Sequence, residues 1–394
     1  MALQLRRPLS ALRGLALERH TVLVPPGAES PFALRAGRAS PPQNGGVATY
    51  RAGRWSAVTE AAHRRDGHEA TLPIERWQLP SDPNALPLIA REAVYLGVAI
   101  DHFGHFLTES IHRAWALRDA RVPREVPAIM LVAHGSAAPL GYQLEVLDVL
   151  GVERDRVLWV REPARVSRLW VPELASRLGE PVPLSYVTEQ REASRAAIGD
   201  VDGAQPLYLH KPIDHGRGVT LGAGELARQL ESVGVRTVVP ERLAFVDQLR
   251  AIAGAQHVIA DQGSALHLLD VIGHIDAPLS LLARPDHASY LHDFGARRSP
   301  DWAASVCVQP LPPPAGIAPA TWRFTSLSRF DVGTLETFLT ARLGVEVALD
   351  RDALHTAELD DLDRWQHFGP ALYSDEESVR ASLPEWREAI DRAR

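Results

Sequence analysis

The sequence predicts an α/β protein of two Rossmann-like domains facing a central cleft. Strand and helix signals alternate from Glu92 to Ile198, break at Gly199-Asp200-Val201-Asp202-Gly203, and restart from Pro206 to Ala283. The length of 394 residues also exceeds the size at which a single core usually splits. The expected domains are 1–195 and 196–310, with a partly helical, acidic extension over 311–394 packed back on them.

Residues 1–90 are rich in Pro, Gly and Arg, with β-like pieces such as Thr21–Val24 and turns at Pro25-Pro26 and Asn44-Gly45-Gly46. They read as a lead-in of strands and loops. Glu92–Ile100 is a buried-strand candidate that runs into a helix over 101–117. Ala128–Ala133, Arg156–Val160 and Arg168–Val171 follow as strands, and Leu140–Leu150 and Tyr186–Ile198 as helices. In the second half Pro206–His210, Arg236–Val239, His257–Ala260 and Leu279–Ala283 read as strands. Gly224–Val233, Leu243–Ala253 and Ser264–Ile272 read as helices. Beyond the PLPPPAG run, Trp322–Phe324 is strand-like and Val332–Leu343 helical.

Composition narrows the function. With 45% hydrophobic and 23% charged residues the chain is of ordinary globular type. A formal charge of −7 argues against an overall commitment to nucleic acid, so an anionic ligand needs a local site. Cys307 is the sole cysteine, which excludes an internal disulfide and a cysteine-based zinc cluster, and suits a reducing compartment. The N-terminal stretch lacks the apolar core of a signal peptide, and no apolar run is long enough to span a bilayer. The expectation is a cytoplasmic protein, at most peripheral to a membrane. Among 42 basic residues only Lys211 is a lysine.

The segment DHFGHFLTESIHRAWAL (101–117) carries the first site candidate. On an ideal helix, Phe103, Phe106, Leu107, Ile111, Ala114 and Leu117 form an apolar side, while His102, His105, Glu109, His112 and Arg113 share a neighbouring arc. His105 and Glu109, at i and i+4, could act as general base and orienting partner for an acceptor hydroxyl. The same stripe has spacings compatible with a divalent metal, although it lacks the HExxH order, and it could equally be a buried network tying the helix to the second domain.

The second candidate is HVIADQGSALHLLDVI (257–272). A strand ends at Asp261 and a helix begins near Ser264, so Gly263 permits close backbone approach and the first-turn N–H groups could hold an anion. Lys211 follows another strand, beside His210 and near His215 and Arg217, where cationic groups could neutralise a diphosphate without a metal. Glu241 could accept hydrogen bonds from a ribose or base, or cap the helix that follows.

FGHFLTESIHRAWAL (103–117) resembles the GHxLxExLxRxWxL stretch of glycosyltransferase family 61, and VIADQGSALHLLDVI (258–272) is similar to that family's Gly-containing donor segment. YLHK (208–211), Val-Pro-Glu (239–241) and the helix before the Gly-Ser turn fit the same pattern, over residues 90–285. The resemblance implies a GT-B-like architecture and metal-independent, inverting transfer from a nucleotide-sugar donor, expected to be UDP-linked, to a glycan or glycolipid. No cofactor is expected, and the setting would be bacterial capsule or lipopolysaccharide assembly. It matches His105, Glu109 and Arg113 to the catalytic motif and Gly263, Ser264 and His267 to the donor motif; Asp261-Gln262 and His112 depart from the commoner pattern. The alternatives are a metal-dependent hydrolase built on the 102–112 stripe and a non-catalytic glycan- or nucleotide-binding scaffold.

Overall fold

The computed structural model describes residues 15–25, 46–51, 54–60, 79, 81–132, 136–176, 181–201, 203, 205–214, 216, 218–285, 288–319, 322, 325–373 and 375–392. Their contacts divide into two compact units, the first reaching Ala197 and the second starting at Ile198. Both are α/β with parallel strands, as the sequence predicts at that level. No helix among the described residues is long and apolar enough to cross a membrane.

The first unit is built on a seven-stranded sheet of β1 (Leu15–Val24), β2 (Gly46–Arg51), β3 (Arg54–Glu60), β4 (Leu88–Ala99), β5 (Ala128–Val132), β6 (Val157–Val160) and β7 (Ala164–Pro172), in the order β3-β2-β1-β7-β4-β5-β6. Strands β7, β4, β5 and β6 run parallel, whereas β1 joins β7 antiparallel and leads the β1–β2–β3 meander. The lead-in strands are thus an antiparallel wing of this sheet. Within the parallel part β4 is flanked by β5 and by β7, the fourth strand in chain order, so the winding reverses between β4 and β7. Open α/β sheets form a ligand crevice at the carboxyl ends of strands at such a reversal. Tyr95, Val98, Ile129, Leu131, Val166 and Leu169 belong to one buried apolar cluster of the sheet. Its helices include α1 (Phe103–His105), α2 (Gly141–Val149) and α3 (Leu184–Ile198).

The predicted continuous helix over 101–117 is not formed. The single turn α1 passes into a wide π turn at Phe106–Ser110, and a 3-10 turn follows at Ala114–Arg118. Every residue from Phe106 to Ala116 is buried, so the segment has no solvent side and the two-faced pattern of a surface helix does not apply. Its polar side chains have to find partners inside the unit.

The second unit carries five parallel strands, β8 (Pro206–Leu209), β9 (Arg236–Val238), β10 (His257–Asp261), β11 (Leu279–Ala283) and β12 (Trp302–Val306), in the order β12-β11-β10-β8-β9. This is the flavodoxin-like doubly wound order, with its reversal between β8 and β10. Helices α4 (Ala223–Ser232), α5 (Phe245–Ala253), α6 (Leu269–Ile272) and α7 (Ala288–Arg298) lie between the strands in sequence. Helix α6 is shorter than predicted, because Ser264–Leu268 is a 3-10 stretch. Leu266, Leu269 and Ile272 are all buried, and a spacing of three suits three residues per turn.

The chain beyond residue 307 completes the same unit. Strands β13 (Val308–Pro310) and β14 (Ser328–Phe330) pair antiparallel, and α8 (Val332–Leu343), α9 (Arg351–Trp365), α10 (Glu376–Ala381) and α11 (Leu383–Arg392) follow. The predicted strand at Trp322–Phe324 is corrected: Trp322 is helical and buried, its indole N–H donating to the Leu311 carbonyl at 2.7 Å, and residues 323–324 lie outside the described residues. Trp322, Trp365, Tyr373 and Trp386 form one apolar cluster with Val219 and Leu221, which ties the extension to the loop before α4.

Candidate functional site

The carboxyl end of β4 is shaped by a bulge. Its register against β5 shifts between Tyr95 and Gly97, and Gly97 sits at φ +129°, a conformation that excludes most side chains. A Cβ at Gly97 would stand 3.5 Å from the Arg113 guanidinium and from the Ser110 carbonyl. Tyr142 and Gln143 of α2 then fix the strand end, donating to the Asp101 carbonyl at 2.8 Å and the Ile100 carbonyl at 2.9 Å. The segment that follows therefore leaves the sheet from a braced position.

His105 and Glu109 meet there, with Nδ1 of the imidazole 2.7 Å from a carboxylate oxygen. The histidine side chain is 18% exposed and the glutamate 2%, which separates their roles. An ionised Glu109 accepts the Nδ1 proton, which leaves the lone pair on Nε2 as the proton acceptor of the ring. The arrangement is that of a base and its buried orienting group, with His105 as the member that can meet a substrate. His102 stacks at a tilt beside it, ring centroids 4.6 Å apart.

The remaining residues of the stripe, His112 and Arg113, are buried and hydrogen-bonded within the unit. His112 is fully buried and its Nδ1 lies 2.9 Å from the Tyr186 hydroxyl of α3. Arg113, expected at the catalytic wall, is buried: its Nε donates to the Pro172 carbonyl at the end of β7 at 3.0 Å, and its guanidinium lies 5.2 Å from the Tyr95 ring centroid. Burial pushes the Tyr95 phenol up to about 12, with the Arg113 charge opposing the shift. Among the described residues no group of three His, Cys, Asp or Glu side chains comes together as a metal-binding set.

In the second unit the strand ends at the reversal point gather a different group. The Tyr208 hydroxyl of β8 donates to the Asp261 carboxylate of β10 at 2.8 Å, and the backbone N–H of Lys211 donates to the same carboxylate. Arg284, just past β11, is 7% exposed; it donates to the Gly218 carbonyl at 2.7 Å, and its own N–H donates to the Gln262 side chain at 2.8 Å. Burial raises the Asp261 carboxyl to about 6, against the pull of Tyr208, the Lys211 N–H and Arg284. A carboxyl raised on folding contributes most below its unfolded value of 3.8, and that contribution is lost as pH rises through about 6. Asp261→Asn should therefore flatten the stability profile between about pH 4 and 6; an unchanged slope in urea titrations across that window would refute the shift.

Sequence reading misses Tyr208 and Arg284. The signal available was register: parallel strands end together, so the residue after LSLLA shares an edge with Lys211 and Asp261.

The predicted donor residues do not act alike. Gly263 is extended at φ −177°, and a Cβ there would meet nothing within 4 Å, so the space over it is open. Gly263, and not Ser264, occupies the cap position of the short 3-10 stretch. His267 is engaged by the fold, with Nδ1 3.2 Å from Asp270, which in turn holds the buried Arg298 at 2.5 Å. Glu241 is exposed on a 3-10 turn and does not cap α5, whose cap position is Ala244. His215 and Arg217 lie outside the described residues.

His210 stacks on the Tyr208 ring at 5.4 Å, and burial, then the nearby Arg242 charge, lower its imidazole to about 4. In the ligand-free chain its imidazole is therefore neutral at pH 7. A proton-NMR titration should place its midpoint near pH 4; a midpoint at the ordinary value of 6.5 would show that the ring is solvated.

No protein-family model matches the chain, and no curated protein matches it. The class defined by fold and geometry is an α/β protein of two units, each with a reversal of parallel strands and a cluster of titratable groups at the carboxyl ends. In the first unit that cluster includes the buried Glu109 carboxylate against the mostly buried His105 imidazole.

Proposed function

We propose that the chain is an inverting glycosyltransferase of the family 61 type, with a GT-B-like pairing of its units. It would move a sugar from a nucleotide-sugar donor, UDP-linked by expectation, to a hydroxyl of a glycan or glycolipid in bacterial surface polysaccharide assembly. The observation that carries this reading is the His105–Glu109 pair. In the proposed reaction Nε2 of His105 takes the proton of the acceptor hydroxyl as that oxygen bonds to the anomeric carbon. The bond from that carbon to the diphosphate breaks, and its electrons leave with the nucleoside diphosphate. Lys211, Arg284 and the open backbone at Gly263-Ser264 would stabilise the departing charge.

The test is a panel of nucleotide sugars against glycan and glycolipid acceptors, with released nucleoside diphosphate and the anomeric configuration of the product as readouts. Transfer with inversion that persists in chelator is the expected result. Chelator-sensitive hydrolysis would turn the reading toward a metal-dependent hydrolase, and no release from any pair would sink it.

A further inference from the structure

A carboxylate stands where the proposed reaction releases a diphosphate. Asp261 ends β10 just before the Gly263-Ser264 turn, and β10 lies between β8, which leads to Lys211, and β11, which leads to Arg284. Its side chain accepts the Tyr208 hydroxyl at 2.8 Å and the Lys211 backbone N–H, and the Arg284 charge acts on it. The Arg284 Nε is buried without a hydrogen-bond partner among the described residues, a donor that a bound anion would satisfy.

The other titratable groups around Asp261 are neutral at pH 7. Burial first, and then Asp261 itself, push the Tyr208 phenol well above its ordinary value and the fully buried Cys307 thiol up to about 12. His210, stacked on the Tyr208 ring, is neutral as well. Asp261 is thus the anion of this edge, set against Arg284 and Lys211. Away from bulk water, an ionised carboxylate and a diphosphate repel each other, so the carboxylate either excludes the ligand or takes a proton. Protonation is within reach, because burial already holds the free carboxyl at about 6. A neutral carboxyl gains an O–H donor for a phosphate oxygen while its other oxygen still accepts from Tyr208.

We propose that Asp261 takes up a proton when the donor binds and delivers it to the diphosphate as the sugar leaves. The inference rests on the transferase reading and adds an acid for the leaving group to the base assigned to His105. The carboxyl O–H bond breaks together with the bond from the anomeric carbon to the diphosphate. The electron pair of that carbon–oxygen bond stays on the diphosphate, whose phosphate oxygen receives the proton. The carboxylate left behind is held by the Tyr208 hydroxyl and the Lys211 N–H. His105 releases the acceptor's proton to water, and Asp261 takes its next one from water when a new donor binds, so the cycle balances.

Calorimetry of the full chain in buffers of different ionisation enthalpy counts the protons taken up. The probes are UDP-glucose, UDP-N-acetylglucosamine, GDP-mannose and any donor the transfer panel identifies; the three named have no group that titrates near neutrality. At pH 7 the wild type should gain close to one proton per site more than Asp261→Asn does. That difference should nearly vanish at pH 5, where the free carboxyl already holds its proton. Asp261→Asn keeps an oxygen for Tyr208, so it should bind donor at least as tightly and turn over at least tenfold more slowly. Loss of affinity and turnover together would mean a structural part and overturn the assignment. Tyr208→Phe removes a bond that favours the ionised form, so its free carboxyl should titrate higher and its proton uptake at pH 7 should fall. Should Asp261→Asn not fold, Tyr208→Phe decides. Equal uptake by the wild type and the variants would overturn the proton transfer and leave the transferase reading standing. No binding of any probe, with no nucleoside diphosphate released in the transfer panel, would overturn both.

Discussion

His105→Ala should lower turnover by about 10²- to 10⁴-fold, the usual contribution of a positioned general base, with donor binding unchanged. The imidazole side chain is 18% exposed and its partner carboxylate 2%, so the variant also leaves Glu109 without this partner, and a melting curve beside the kinetics separates lost chemistry from lost fold. Glu109→Gln distinguishes orientation from bulk, since the amide keeps the shape of the 2%-exposed carboxylate but not its charge. Its rate should fall as well, because the neutral amide no longer favours the Nδ1–H tautomer or the imidazolium that forms on Nε2. Steady-state kinetics with the product assay measures both variants. A His105→Ala rate within threefold of the wild type would remove the imidazole from the chemistry, and a Glu109→Gln rate equal to the wild type would reduce the carboxylate to packing.

The order of strands and helices was readable because parallel strands buried on both faces are written as short apolar runs, such as VIA at 258–260 and LSLLA at 279–283. The pairing of His105 with Glu109 was readable for a local reason, since i and i+4 remain neighbours through the switch from α to π winding. The Arg113 contact was not readable because it depends on β7, whose Pro172 carbonyl lies 59 residues away in the chain. The same holds for Tyr208 and Arg284: their meaning comes from strand order, and Tyr208 meets Asp261 only because β8 and β10 are adjacent. The lowered basicity of His210 was not readable because a sequence does not state burial, and burial is what lowers it.

Trp386→Ala should be the most destabilising of the substitutions considered. The indole is fully buried in α11, stacks on Trp322 at 5.3 Å, meets Trp365 edge-on at 5.9 Å, and donates to the Pro312 carbonyl at 2.8 Å. Truncation removes that packing and leaves the carbonyl short of its donor, for an expected loss of about 3–5 kcal/mol. For a unit of this size that corresponds to a fall of roughly 6–20 °C in melting temperature. Urea unfolding followed by tryptophan fluorescence measures it, and a loss below about 1 kcal/mol would mean that the extension is not part of the unit's core. Trp386→Phe, which retains a flat ring against Trp322, should recover most of that stability, as a packing role requires.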